Sequence, residues 1–517
     1  MGIEWQSEVD ELESRRQTAL GMGGADKVEL HRSRGRLTVR ERINRLLDCE
    51  SFHEIGQLTG SPTYDGPHLV SVMPANLIVG YGSVEGRPVV VAGDDFTIRG
   101  GSGEATIPAK ATFAVRLALE RRIPLVQLVD GSGGGGGVKV YEDGKHTTSP
   151  PILTEWQHIT TALGVVPVVS MVGGTVAGLG ALKACQSHYS VMVRGTSQVF
   201  AAGPPLVRYV EKSVDKETLG GSDVHTRNGV ISDEAGNEDE ALHRIRAFLS
   251  YLPSSVYQLP PLHENTDPVD RRDDWLGDAV PRNRRQVYDI RRILNAVVDR
   301  GSLFEISPMF GRPVVTALAR LGGRPVGVIA SDPYQYGGAL NAGACQKLRR
   351  FIDLVDTFHL PRVALLDLPG LMIGTQAEAA GTVRYAAEAV TAVYQSTTPQ
   401  CVVVLRRFYG LGAAAMVNGS RLALMYAWPS AEWGSMPFEG GIEAAYKADL
   451  EAAADPDAVR AEIEGRLAYA RSPMRAAETF GIADMIDPRD TRTVLCQFAM
   501  GAYESLTPGI HARTMRP

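Results

Sequence analysis

GRPVVVAGDDFTIRGG, residues 86–101, is matched later in the chain by GRPVGVIASDPYQYGG, residues 323–338. The two align without a gap at an offset of 237 residues, and the match runs on to Asp130 and Asp367. Identical pairs include Gly86/Gly323, Arg87/Arg324, Pro88/Pro325, Asp95/Asp332, Gly100/Gly337, Gly101/Gly338, Lys110/Lys347, Pro124/Pro361 and Asp130/Asp367. Beyond the aspartates the first copy carries a few extra residues. The register then resumes at an offset of 232, where GLGA at 178–181 meets GLGA at 410–413. Self-similarity of this length means one fold built twice. Each copy reads as strands, a helix around Lys110 or Lys347, an apolar strand (PLVQLVD or PRVALLD), a glycine-rich loop, another strand and another helix. That order predicts an α/β fold.

A chain of 517 residues, 44% hydrophobic and 22% charged, is too long for one core. The repeat divides it into an N-terminal domain over 1–258 and a C-terminal domain over 286–517. Between them, 259–285 includes LPPLHENTDPVDRRDDWLGDAVPRNRR, which is rich in proline and charge and reads as a linker. Within the first fifty residues LTVRERINRLLD (37–48) puts Val39, Ile43, Leu46 and Leu47 on one helical face, so a helical arm is expected over about 1–50. With 53 basic and 59 acidic side chains, the formal charge of -6 lacks the positive field that nucleic acid demands. Cys49, Cys185, Cys345, Cys401 and Cys496 form no CxxC pair and read as reduced thiols. The opening MGIEWQSEVDELESRRQ lacks a signal-peptide core, and no run of about 18 apolar residues occurs. A soluble, cytoplasmic protein with no membrane or nucleic-acid partner is expected.

In both copies a strand runs into a glycine cluster that opens a helix: VVPVVSMVGGTVAGLGALKAC (165–185) and PQCVVVLRRFYGLGAAAMV (399–417). Such a turn presents N–H groups without intrahelical partners at the positive end of a helix. Fixed donors of this kind suit a developing oxyanion such as a thioester enolate, at about 3 kcal/mol per donor. The other reading is that the glycines only let strand and helix approach closely. Two matching turns suit a reaction with two oxyanions, although duplication would copy a packing glycine as well.

The run DGSGGGGGVKVYEDGKHTTS (130–149) is not a Walker loop. Gly144-Lys145 is followed by His146, and Lys139 stands where the first glycine belongs. There is no GxSxG elbow and no HExxH, and the eleven histidines show no metal spacing, so no metal is expected. No paired carboxylates or His/Asp constellation stands out near either turn. That fits a reaction whose base arrives with a cofactor.

RGRLTVRERINRLLD from Arg34, GRPVVVAGDDFTIRGGSGEA from Gly86, TSQVFAAGPPLV from Thr196, LGGSDVHTRNGV from Leu219 and NEDEALHRIRAFLSYLP from Asn237 occur in order in the first half. ACQKLRRFIDLVDTF from Ala344, LLDLPGLMIGTQAEAAGTVRYAA from Leu365, YAWPSAE from Tyr426 and GIADMIDPRDTR from Gly481 follow in the second. Across nearly its whole length the sequence resembles the carboxyltransferase β-subunits of biotin-dependent acyl-CoA carboxylases, such as those acting on propionyl-, acetyl- and methylcrotonyl-CoA. The resemblance implies two tandem crotonase-like ββα superhelix domains and a hexamer built from dimers, with active sites between the N-domain of one subunit and the C-domain of its mate. It implies acyl-CoA on the N-domain, with the thioester oxygen held by the amides of Gly178 and Leu179. On the C-domain side it implies carboxybiotin at Gly410, Leu411 and Gly412, its ureido oxygen held at Leu411 and Gly412, with Ala413 and Ala414 shaping the acyl pocket. In that mechanism carboxybiotin releases CO2, the biotin enolate takes the α-proton, and the acyl enolate attacks CO2.

Two departures stand out. Many relatives have glycine where Leu179 and Leu411 stand, and many carry SGGAR or SGGAN where this chain has SGGGGG after Asp130. The chain has no MKM biotin-acceptor tripeptide, so the biotin and the biotin carboxylase activity are expected from partner subunits. Two alternatives are a crotonase-type hydratase or isomerase using the same turns, and a non-catalytic subunit of a mixed complex.

Overall fold

The computed structural model describes residues 4–131, 142, 156–212, 214–467 and 472–511. The glycine run with Lys139, Gly144, Lys145 and His146 lies outside them. Two compact units emerge. One comprises the described residues up to Gln258 together with Gly509 and those after it, and the other spans Leu259–Pro508.

The first unit contains β1 (His53–Ile55), β2 (Gly60–Asp65), β3 (His68–Pro74), β4 (Leu77–Val84), β5 (Arg87–Asp94), β6 (Leu125–Val129), β7 (Val168–Val172), β8 (Thr175–Ala177), β9 (Tyr189–Val193), β10 (Gln198–Phe200) and β11 (Asp233–Ala235). Its main sheet has the order β1-β4-β5-β6-β7-β9-β11. The β4–β5 hairpin is antiparallel, whereas β5, β6, β7, β9 and β11 are parallel. β6 and β7 are buried along their whole length, as parallel strands covered on both faces must be. The helix Pro108–Arg121 packs Ala114 and Ala118 against this sheet.

The second unit repeats the plan with β12 (Phe304–Ile306), β13 (Val314–Leu321), β14 (Arg324–Ser331), β15 (Arg362–Leu368), β16 (Gln400–Tyr409), β17 (Ala423–Ala427), β18 (Glu432–Gly434) and β19 (Asp484–Met485). The sheet order is β12-β13-β14-β15-β16-β17-β19, with β18 added beside β16. The hairpin β13–β14 is antiparallel and the strands after it are parallel. The helix Ala342–Thr357 takes the place of Pro108–Arg121. The paired lysines also correspond: Lys110 Nζ donates to the Gly56 carbonyl at 2.9 Å, and Lys347 Nζ to that of Val314 at 2.7 Å.

The opening segment forms the helices Gln6–Leu20, Ala25–Ser33 and Val39–Leu46. The last is started by a capping box, in which the Thr38 side chain accepts from Glu41 N and the Glu41 side chain accepts from Thr38 N. Val39, Ile43 and Leu46 are buried as the pattern predicts, but so is Arg42. The stretch 259–285 belongs to the second unit instead of standing apart as a linker. Its polarity is used in specific contacts. His263 N donates to the Gly323 carbonyl, Arg284 pairs with Glu432, and Arg292 lies 4.1 Å over the Trp275 ring.

Candidate functional site

Each repeat centres on a buried aspartate at the end of its third core strand. Asp130 follows β6, and Asp367 lies near the end of β15; both are completely buried. A buried carboxylate must be paired, and each is held by two arginines. Asp130 accepts from Arg36 Nη2 at 2.5 and 2.6 Å and from Arg42 Nη1 at 2.7 Å. Asp367 accepts from Arg406 Nη2 at 2.8 Å, Arg407 Nε at 2.7 Å and the Tyr288 hydroxyl at 3.2 Å. Burial would push the Asp367 carboxyl up, but the hydrogen bond and charge of Arg407, joined by Arg406, hold it below the ordinary carboxylate value.

The two clamps draw on different parts of the chain. At the 232-residue offset Gly174 corresponds to Arg406. A Cβ on Gly174 would sit 1.5 Å from Arg36 Nη2, and one on Gly173 would sit 2.5 Å from Arg42 Cζ. The first unit therefore vacates the strand position with glycine and fills the space with a guanidinium from the helical arm. The second supplies it from β16 itself. For the same reason β16 runs unbroken over Gln400–Tyr409, whereas its counterpart is split into β7 and β8 at Gly173-Gly174.

These clamps sit beside the turns. In the second unit Tyr336, Gly337 and Gly338 all have positive φ, and Arg407 Nη2 donates to the Gly337 carbonyl at 2.8 Å. Arg99, Gly100 and Gly101 form the same left-handed run in the first unit. A Cβ on Gly101 or Gly338 would lie 2.5 Å from the carbonyl oxygen of Asp130 or Asp367, so only glycine permits the approach. In the second unit Leu340 N donates to the Gly370 carbonyl and Met372 N to the Leu340 carbonyl. This joins the loop after Gly338 to the loop at Gly370, on which Gly412 packs.

At the first turn Gly178 has φ 56° and ψ -117°, and the helix Leu179–Cys185 starts behind it. The Gly178 N–H is already engaged, donating to the Phe200 carbonyl at 3.1 Å in continuation of the β8–β10 ladder. The open donors begin at Leu179, whose N–H has no intrahelical acceptor and which is 37% exposed. Gly178 contributes the backbone conformation. At the second turn Gly410 has φ 59°, and the short helix Gly410–Ala414 puts the N–H groups of Leu411 and Gly412 in its first turn. Leu411 is 73% exposed. Gly412 is a packing glycine as well, since its Cβ would lie 2.7 Å from the Gly370 carbonyl carbon. Ala413 is buried, whereas Ala414 faces outward. Among the described residues no grouping of His, Cys, Asp and Glu could hold a metal ion, and no helix is long and apolar enough to cross a membrane.

The carboxyl transferase domain family matches residues 30–507. The chain belongs to this family. It is similar to the carboxyltransferase subunit of propionyl-CoA carboxylase from Haloferax mediterranei, at 34% identity over 95% of each chain. It is also similar to the methylmalonyl-CoA carboxyltransferase 12S subunit of Propionibacterium freudenreichii subsp. shermanii, at 33% identity over 94% of this chain and 92% of that one. Among solved structures, a transcarboxylase 12S hexamer core with methylmalonyl-coenzyme A and methylmalonic acid bound superposes with a TM-score of 0.87. It is 31% identical and covers 100% of this chain and 98% of that one. The chain is thus a carboxyltransferase of the acyl-CoA carboxylase type, built from two crotonase-like domains.

Proposed function

We propose that this carboxyltransferase carboxylates the α-carbon of an acyl-CoA, with the first unit's turn holding the thioester oxygen and the second unit's turn holding the ureido oxygen of carboxybiotin. The observation that carries the reading is the doubled turn: each unit offers first-turn main-chain N–H groups beside an arginine-clamped aspartate. Carboxybiotin, borne by a separate carrier subunit, supplies the CO2 and then the base for the α-proton. The chain's own part is electrostatic and geometric. Leu179 N–H faces the oxygen on which enolate charge develops. Leu411 and Gly412 N–H present neutral, fixed donors that suit a urea oxygen. Asp130 and Asp367 are each fully paired with two arginines and hold the strand ends.

We further propose a cytoplasmic enzyme that assembles as a hexamer built from dimers, in keeping with the hexameric transcarboxylase 12S core, and works with a biotin carboxylase and carrier partner. Replacing Leu179 by proline tests the donor role. Proline is tolerated in the first turn of a helix yet carries no N–H. The variant should fold and lose about 10²–10³ in kcat, while release of CO2 from the carboxybiotinyl carrier without acyl-CoA is unchanged. A folded Leu179→Pro enzyme with normal turnover would remove Leu179 from the reaction.

A further inference from the structure

The two units share their clamp and their turn, but one charged pair occurs in the first unit alone. Asp94 ends β5, and its Oδ2 accepts from Asp130 N at 3.2 Å. Its Oδ1 accepts from Lys183 Nζ at 3.3 Å. Lys183 lies four residues after Leu179 in the same helix, on the same face and about 6 Å further along the axis. Both side chains are partly buried, 27% exposed for Lys183 and 19% for Asp94. In the second unit the corresponding residues are Ser331, at the end of β14, and Ala415, both buried and uncharged.

This asymmetry separates two roles. The second unit builds its turn without a counterpart of this pair, so the pair is not needed to form such a turn. What differs is an ion pair whose lysine stands one helical turn behind Leu179. A partly buried carboxylate near an oxygen that gains negative charge opposes that change, and more strongly than it would in water. A lysine bound to the carboxylate cancels the opposition and holds it in place.

Resting on the reading that Leu179 faces the thioester oxygen, we propose that Lys183 is a positioning residue for the acyl step. It neutralises and restrains Asp94 beside the turn, so that enolate charge can develop there.

The signature is an order among variants that a purely structural ion pair does not produce. The kcat/KM for acyl-CoA carboxylation is measured in the full chain with its biotinyl carrier for Lys183→Met, Asp94→Asn, the double variant and Lys183→Arg. Lys183→Met leaves Asp94 uncompensated and should fall about tenfold or more. Asp94→Asn should fall less. The double variant, neutral at both positions, should recover most of the loss, and Lys183→Arg should stay near wild type. Release of CO2 from the carboxybiotinyl carrier without acyl-CoA should be unchanged throughout. A double variant as impaired as Lys183→Met, or a Lys183→Met enzyme equal to wild type, overturns the proposal. Should Lys183→Met not fold, Lys183→Gln in the same pairings carries the comparison. Leu179→Pro run in parallel separates the two levels. If it is inert, the reading of the turn has failed; if it abolishes turnover while Lys183 variants do nothing, only the role of Lys183 has.

Discussion

Replacing Asp367 by asparagine keeps the shape of the second unit's central residue and removes its charge. The carboxylate accepts from Arg406 Nε and Nη2 at 3.0 and 2.8 Å, from Arg407 N and Nε at 3.1 and 2.7 Å, and from Tyr288 at 3.2 Å. Asparagine has one acceptor oxygen, and its NH2 group would face a guanidinium. Arg406 is only 3% exposed and cannot turn to water. Breaking a buried pair from one side costs about 3–5 kcal/mol, a large share of the roughly 5–15 kcal/mol that stabilises a domain. Two units need not unfold together, so the assay is amide hydrogen exchange of β15 and β16, read as local opening free energy. The pH dependence gives a second readout. The folded pKa of Asp367 lies below its unfolded value, so its contribution is present above about pH 4 and is lost as pH falls through the lowered folded value. Asp367→Asn should therefore open more easily at neutral pH and lose less stability on acidification than wild type. A loss below about 1 kcal/mol with an unchanged acid profile would refute the clamp.

Gly412→Ala should cost about 1–3 kcal/mol in second-unit stability, because its Cβ meets the Gly370 backbone at 2.7 Å; denaturant unfolding checks this, and a neutral effect would show that the loop yields freely. Ala414→Ile, at an exposed position, should fold normally and lower kcat/KM for longer or branched acyl-CoAs relative to propionyl-CoA, at about 0.8 kcal/mol per excluded methylene. A wild-type enzyme that already prefers propionyl-CoA over every longer substrate would contradict the roomy pocket behind that expectation.

The architecture was legible because it is written twice. Strand and helix order followed from the offsets, and the Asp130/Asp367 identity already marked the residue at the heart of each clamp. The clamp itself was not legible in the first unit, where Arg36 replaces a strand arginine from more than a hundred residues away. A signal existed: Arg406 aligns with Gly174 in the repeat, so one copy lacked a cation that the other required. Composition misled over 259–285, since proline and charge there reflect contacts such as Arg284–Glu432 and not an open tether. The free donor at the first turn depends on Phe200, whose carbonyl engages Gly178, and that is a long-range fact. Which of Ala413 and Ala414 faces outward depends on how a five-residue helix is seated on Gly370, which local periodicity does not reveal.

The most direct measurement is transfer of label. The carrier subunit, charged with ¹⁴C-carboxybiotin, is mixed with the full chain and an acyl-CoA, without ATP or bicarbonate. The predicted result is ¹⁴C in a carboxyl group newly bonded to the α-carbon of the acyl-CoA, dependent on both the chain and the acyl-CoA and strongly reduced by Leu179→Pro. Label that remains on the carrier or leaves only as CO2 across a panel of short and long acyl-CoAs, or hydration or isomerisation of an enoyl-CoA without biotin, would contradict it.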